Sequence, residues 1–237
     1  MVNGVSFIIP VYNEEDIFIN NCIYLLEFIQ KLDVPFEIII GSNGSTDKTN
    51  SLGYAFAKEN HQIRFFNLPQ KGVVGSVFSN AVRMSQYEKL MSLDIDLTID
   101  LSFINHSIEL LDEYDLVIGS KKAGKESRFW LRRLGSYTYI WLVRKLLKLE
   151  FTDYSIGAKA YQRNAILSHI DEIDTRTGYV LTLIYYLNKS QHPIVQIPVI
   201  CNDHRNSKYD LFREGLYRFF HLFNLWFRDR CQFPHVG

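Results

Sequence analysis

Short β-branched and aromatic runs alternate with helix-patterned stretches through the first half of this chain, and that alternation is what most limits its fold. Residues 6–10, 37–41, 63–68, 89–93 and 116–120 read as strands, and residues 15–32, 46–59, 75–84 and 102–111 as the helices between them. In the first helix Ile17, Ile23, Leu26, Phe28 and Ile29 recur at near-helical spacing. Repeated βαβ units predict an α/β, Rossmann-like fold with a mostly parallel central sheet flanked by helices. A polar stretch at 121–127 breaks the pattern. Beyond it, 129–149 reads as a basic helix, 154–161 as extended, 179–188 as helical and 194–200 as a late strand whose Pro198 suits a sheet edge. No internal repeat or low-complexity segment interrupts the chain. At 237 residues and 47% hydrophobic, it supports one α/β unit over residues 1–208, followed by an amphipathic helical extension over 209–237.

Charge and cysteine content narrow the function. Lys+Arg and Asp+Glu stand at 26 each, so no global basic field gathers nucleic acid, and a phosphate ligand has to be held locally. Cys22, Cys201 and Cys231 are far apart and odd in number, unlike a disulfide scaffold or a zinc site. A reducing cytosol is the simpler expectation. Neither a signal-peptide pattern nor an apolar run of about 20 residues is present, so the expectation is a soluble protein, or one peripheral on the cytosolic face of a membrane.

Ligands of open α/β sheets bind beyond the carboxyl ends of the strands, and three motifs fall there. Pro10-Val11-Tyr12-Asn13-Glu14 follows the first strand; it is turn chemistry, with Tyr12 able to stack on a nucleobase. Ser42 to Asp47 follows the second, with a glycine for the turn and hydroxyls that can cap the next helix, and it also serves as a purely structural loop. Asp94-Ile95-Asp96 follows the fourth, where an extended backbone sends both carboxylates to one side. Mg²⁺ takes one or two carboxylates and completes its shell with water and substrate phosphates, so this pair suits a divalent ion arriving with a nucleotide diphosphate. A solvated turn explains the same string equally simply. Asp100 precedes a helical pattern and reads as its cap. Lys71-Gly72-Val73-Val74-Gly75 lacks the Gly-Lys-Ser/Thr ending of a Walker loop.

Together and in this order, these segments resemble family 2 glycosyltransferases of the GT-A fold, most closely the polyprenyl-phosphate sugar synthases such as dolichol-phosphate mannosyltransferase. The resemblance runs over roughly residues 5–210. It matches Pro10 to Glu14 with a Pro-x-Tyr-Asn-Glu opening, Ser42 to Asp47 with an Asp-Asp-Gly-Ser-Thr-Asp loop, Lys71 to Gly75 with a Lys-Gly-x-Gly-like loop, and Asp94 to Asp96 with Asp-x-Asp. Asp153 to Lys159 is similar to Asp-x-x-Ser-Gly-Phe-(Arg/Lys) with one shift, and Arg205 to Lys208 to a shortened Arg-x-x-x-Ser-Lys element. The resemblance implies a GDP- or UDP-sugar donor held by Pro10, Tyr12, Glu14, Ser42, Asn43, Lys71 and Asp94, with Mg²⁺ or Mn²⁺ on Asp94 and Asp96. The second loop departs from the family pattern: Ser42 and Asn43 replace carboxylates, and an amide oxygen accepts from uracil N3–H but offers guanine no two-oxygen acceptor.

The implied reaction is an inverting displacement at the anomeric carbon, with Asp96 among the catalytic residues. A hydroxyl acceptor needs a general base, whereas a polyprenyl phosphate is already ionised. No adjacent Glu-Asp pair follows Gly157, though Asp153, Asp171, Glu172 and Asp174 remain available. This favours the lipid phosphate, with Arg133, Arg144, Arg205 and Lys208 as the cations that hold it and Arg132 beside them. Residues 211–230 interleave aromatic side chains with arginines, as in a helix lying in a membrane interface. Packing on the sheet or on a second copy suits the same pattern. A soluble transferase for a saccharide or protein hydroxyl, and a non-catalytic nucleotide-binding relative, are the competing functions.

Overall fold

In the computed structural model, which describes residues 2–121, 130–201 and 211–231, seven strands form one sheet in the order β3-β2-β1-β4-β6-β5-β7. The first four are β1 (Val2–Val11), β2 (Phe36–Asn43), β3 (Ile63–Leu68) and β4 (Tyr87–Ser92); β5 (Leu116–Ser120), β6 (Lys159–Gln162) and β7 (Ile194–Pro198) complete the sheet. All neighbours run parallel except β6, which lies antiparallel between β4 and β5. Pro198 ends the edge strand, as its missing N–H requires.

Helices α1 (Phe18–Ile29), α2 (Thr49–Glu59), α3 (Val74–Met84) and α4 (Ser102–Leu110) follow the first four strands; α5 (Trp130–Leu147), α6 (Arg163–Leu167), α7 (Tyr179–Lys189) and α8 (Leu211–Cys231) come later. Alternate strand residues feed opposite sides of the sheet. Phe7, Ile9, Ile38, Ile40, Met91 and Val117 pack with α1, α2 and α4, whereas Ile8, Ile39, Leu90, Leu116 and Ile118 pack with α3, α5, α7 and α8. The result is a three-layer α/β/α body. Leu222 and Leu225 of α8 are buried in the second of these cores.

Several boundaries differ from the sequence expectation, three of them for an identifiable local reason. α1 starts at Phe18 because the Glu14 carbonyl accepts from the Ile17 and Phe18 N–H groups and closes a turn first. α2 starts at Thr49, not 46, because Asn13, through its N–H and Oδ1, and the Glu15 carboxylate hold Ser45, Thr46 and Lys48 in the loop. Residues 154–158 are not strand, because the Asp153 carboxylate gathers the Ser155 and Ile156 N–H groups (2.9 and 3.0 Å) into a turn. The Asp100 carboxylate does accept from Ser102 N–H at the start of α4 (2.7 Å). All three cysteines are free thiols, and burial pushes the Cys22 thiol up to about 12.

Candidate active site

The crevice opens where β1 and β4 part. Beyond Ile8↔Ser92 these strands no longer pair, while β1 continues beside β2 to Val11↔Ser42. Pro10 lies in that unpaired-on-one-side stretch, where a residue without an N–H leaves no ladder bond unmade. The chain leaves β1 toward β2 on one side and β4 lies on the other, so this is a topological switch point of the sheet.

On the β1–β2 side the first two loops are stitched together. Asn13 has a left-handed backbone (φ 52°), tolerable for an asparagine, and its N–H donates to Ser45 Oγ (3.0 Å) while its Oδ1 accepts from Thr46 N–H (2.8 Å). Glu14 N–H donates to Thr49 Oγ1 (2.7 Å). Ser42 is buried, with its hydroxyl donating to Ser45 Oγ (2.9 Å). Asn43 is 1% exposed; its Nδ2 donates to the Val11 carbonyl (3.0 Å), and its Oδ1 accepts from Gly72 N–H (3.2 Å). Its amide therefore braces three loops together, a use the expected contact with a base edge does not include. Gly44, at φ +80°, brings the chain so close to Lys71 that a Cβ would lie 2.6 Å from the Lys71 nitrogen. Lys71 is thereby carried over Tyr12, with its Nζ 4.8 Å from the ring centroid.

On the β4 side, Ile95 is buried while Asp94 faces solvent and Asp96 is half-buried, as alternation beyond a strand requires. Asn21 of α1 donates to the Ile95 carbonyl (2.9 Å), and Asp96 Oδ1 accepts from Thr98 N–H (3.2 Å). Asp94 is open to the crevice yet ringed by protein. That surrounding, and the neighbouring Asp96 charge, push its carboxyl up from the usual value against the pull of Lys121, Lys159 and the Gly157 N–H. A Cβ on Gly157 would sit 2.4 Å from Asp94 Oδ1, so only a glycine lets β6's approach lie against this carboxylate.

Lys159, on β6, is 1% exposed and donates to the Ile156 carbonyl. Burial draws its ammonium down to about 8, with Asp153 and Asp94 opposing the drop. Burial raises Asp153, but Lys159, the Ser155 and Ile156 N–H groups and Lys121 outweigh it and hold the carboxyl below its usual value. β6 and the turn before it thus bring a buried lysine and a buried aspartate beside Asp94. Lys159 was not legible as a single residue, and Asp153 only as an available carboxylate; the signal for the pair was the Asp153-to-Lys159 segment as a whole.

The Asp94–Asp96 pair is a fit for a divalent ion, because two neighbouring carboxylates oppose each other's charge at an open crevice. Among the described residues no cluster of three His, Cys, Asp or Glu surrounds an ion, so donor phosphates and water would complete its shell. Of the expected acceptor cations, Arg144 is exposed at the end of α5 and donates to the Glu150 carbonyl (3.4 Å). The Arg132 and Arg133 side chains, and Arg205 and Lys208 altogether, lie outside the described residues.

With this geometry in place, residues 6–172 match the model of Glycosyl transferase family 2. The chain belongs to that family. Among curated members, it is 25% identical over 220 residues to glycosyltransferase AglD of Haloferax volcanii, covering 90% of this chain and 35% of that protein. It is 28% identical over 170 residues to the undecaprenyl-phosphate 4-deoxy-4-formamido-L-arabinose transferase of Pectobacterium atrosepticum, covering 70% and 50%. The chain thus spans between about a third and three-fifths of the length of the first such relatives. Glucosyl-3-phosphoglycerate synthase of Mycobacterium tuberculosis, solved with Mn²⁺, UDP-glucose and phosphoglyceric acid, shares the fold with a TM-score of 0.70 at 18% identity, over 99% of this chain and 82% of that one. The chain is therefore a family 2 member with a GT-A body, and its candidate site lies at the β1/β4 switch point.

Proposed function

We propose that this family 2 chain transfers a sugar from a nucleotide-sugar donor to a polyprenyl phosphate, with inversion at the anomeric carbon. What supports the reading is that Asp94 and Asp96 follow β4 while Tyr12, under Lys71, follows β1, the two strands that part at the switch point. Tyr12 offers a ring for the base, and the Lys71 ammonium a charge near the diphosphate. Asp94 and Asp96 would hold Mg²⁺ or Mn²⁺, which supplies positive charge to the departing nucleotide diphosphate. Lys121 and Lys159 pull against the upward push on the Asp94 carboxyl, and Gly157 fixes where that carboxylate lies. The acceptor oxygen forms the new bond to the anomeric carbon as the bond to the diphosphate oxygen breaks on the other face. A lipid phosphate oxygen needs no base for this, and the undecaprenyl-phosphate substrate named for the Pectobacterium relative supports the acceptor class.

The test is transfer in detergent from a panel of radiolabelled UDP- and GDP-sugars, with Mg²⁺ or Mn²⁺, to undecaprenyl or dolichyl phosphate. Label should enter the organic phase only when metal and lipid phosphate are both present. Metal-dependent transfer to a saccharide hydroxyl or to water, with none to lipid phosphate, would overturn the acceptor assignment while leaving the donor site standing.

A further inference from the structure

Helix α8 has two faces of different character. One is fixed to the body: Leu222 and Leu225 are buried, Glu214 accepts from Thr177, and His221 Nε2 is 2.8 Å from Thr182 Oγ1. Helical periodicity places Leu216, Phe220, Phe223 and Phe227 on the opposite side, and they are 57, 65, 45 and 62% exposed. Eleven large apolar side chains stand exposed among the described residues; these four share one face of a single helix, so their exposure is a patch and not scatter, and Tyr137 and Trp141 stand exposed on α5, which packs against α8.

Charge identifies the occupant. The sequence of α5 carries four cations and no acid, and that of α8 four arginines against Glu214 and Asp229, a net +6 on two helices of a chain whose total is zero. Both acids are engaged, Glu214 by Arg218 (2.9 Å) and Asp229 by Lys189 (2.5 Å). By helical spacing the exposed Arg213 and Arg230 flank the aromatic stripe on either side, and Lys145 lies over the exposed Trp141 ring at 4.9 Å. A second copy apposed here would set like charges against each other. An anionic headgroup layer instead meets the cations while the rings enter its apolar edge. No helix among the described residues is long and apolar enough to cross a membrane, so the contact is one of lying on the surface.

We propose that the outward face of α8, with Trp141 and Lys145 of α5, docks this protein on an anionic lipid bilayer. This deepens the lipid-acceptor reading and rests on it for its purpose. Its test, however, uses vesicles without polyprenyl phosphate, so the two stand or fall separately. The full chain should sediment with phosphatidylcholine vesicles containing phosphatidylglycerol and much less with phosphatidylcholine alone. The double variant Phe220→Glu/Phe223→Glu should bind at least roughly tenfold more weakly, since each ring loses its apolar burial. Arg213→Glu/Arg230→Glu should also weaken binding at least roughly tenfold. Both variants should keep the wild-type circular dichroism and melting temperature, because the altered side chains are exposed. Should either fail to fold, brominated phospholipids should still quench the indole emission of the wild-type protein. A wild-type chain left in the supernatant, unquenched emission, or a dimer in analytical ultracentrifugation that the phenylalanine variant abolishes would overturn the proposal, the last by assigning the face to a second copy.

Discussion

Gly157 and Asp94 decide how well a single residue can be read from the sequence. Asp94 was singled out by its spacing from Asp96 together with its place just past an apolar strand, although a solvated turn explains the same string equally simply. Gly157 was visible only as part of a motif, and its role is steric: a Cβ would stand 2.4 and 2.6 Å from the two Asp94 carboxylate oxygens. Gly157→Ala should therefore displace the Asp94 carboxylate with little change to the core. Metal-dependent binding of a nucleoside diphosphate should weaken by at least roughly tenfold, or about 1.4 kcal/mol, while the thermal midpoint stays near that of the wild type. Calorimetric titration checks this, and undiminished binding would show that the glycine is there for the turn alone. Asn43 shows what spacing does not record. Its Nδ2 and Oδ1 each bond to a neighbouring loop, at Val11 and Gly72, a long-range pairing that no local pattern carries, and each end of an amide has one further hydrogen-bonding site.

At the scale of elements, the first five strands and four helices were legible because each is a local hydrophobic period bounded by turn chemistry. What failed was the region where order depends on side chains distant in sequence. The 45–48 segment is loop because residues 13–15 bind it, and β6 is short because Asp153 winds the chain before it. The antiparallel setting of β6 between β4 and β5 was equally invisible, since apolar character does not record strand direction. Helix α8 follows the same logic. Its amphipathic period was plain, yet its inner face depends on Thr177, Thr182 and Asp174, with Tyr217 donating to Asp174 Oδ1 (2.5 Å). Burial lowers the His221 pKa from its usual value, which favours the neutral ring between α7 and α8. The unfolded chain then binds the proton more readily, and the stability present above about pH 6.5 is lost as pH falls through that value. Melting between pH 7.5 and 5.5 (about one unit either side of this value) should show a larger loss for the wild type than for His221→Gln. Equal losses would place the acid sensitivity elsewhere.

As a whole molecule, the chain is a GT-A body with two proposed working surfaces: the β1/β4 crevice and the outward side of α8. The sheet's direction of travel creates the first, because a switch point exists only once β2 and β4 flank β1. Strand alternation fills both faces of the sheet with apolar side chains and leaves loop ends free for chemistry, so the three loop motifs, far apart in sequence, converge without any residue between them being specialised. The acceptor side draws on more of the chain, and the residues expected to serve it are largely outside those described. The donor site is therefore where the account is most exposed to test. Isothermal titration of the full chain with UDP and with GDP, in Mn²⁺ and then in EDTA, should show binding of at least one nucleotide that depends on the metal. Asp96→Asn should weaken the metal-dependent part by at least roughly a hundredfold, or about 2.7 kcal/mol. Nucleotide binding equally tight in EDTA, or unchanged in the Asp96 variant, would contradict a donor site built on Asp94 and Asp96.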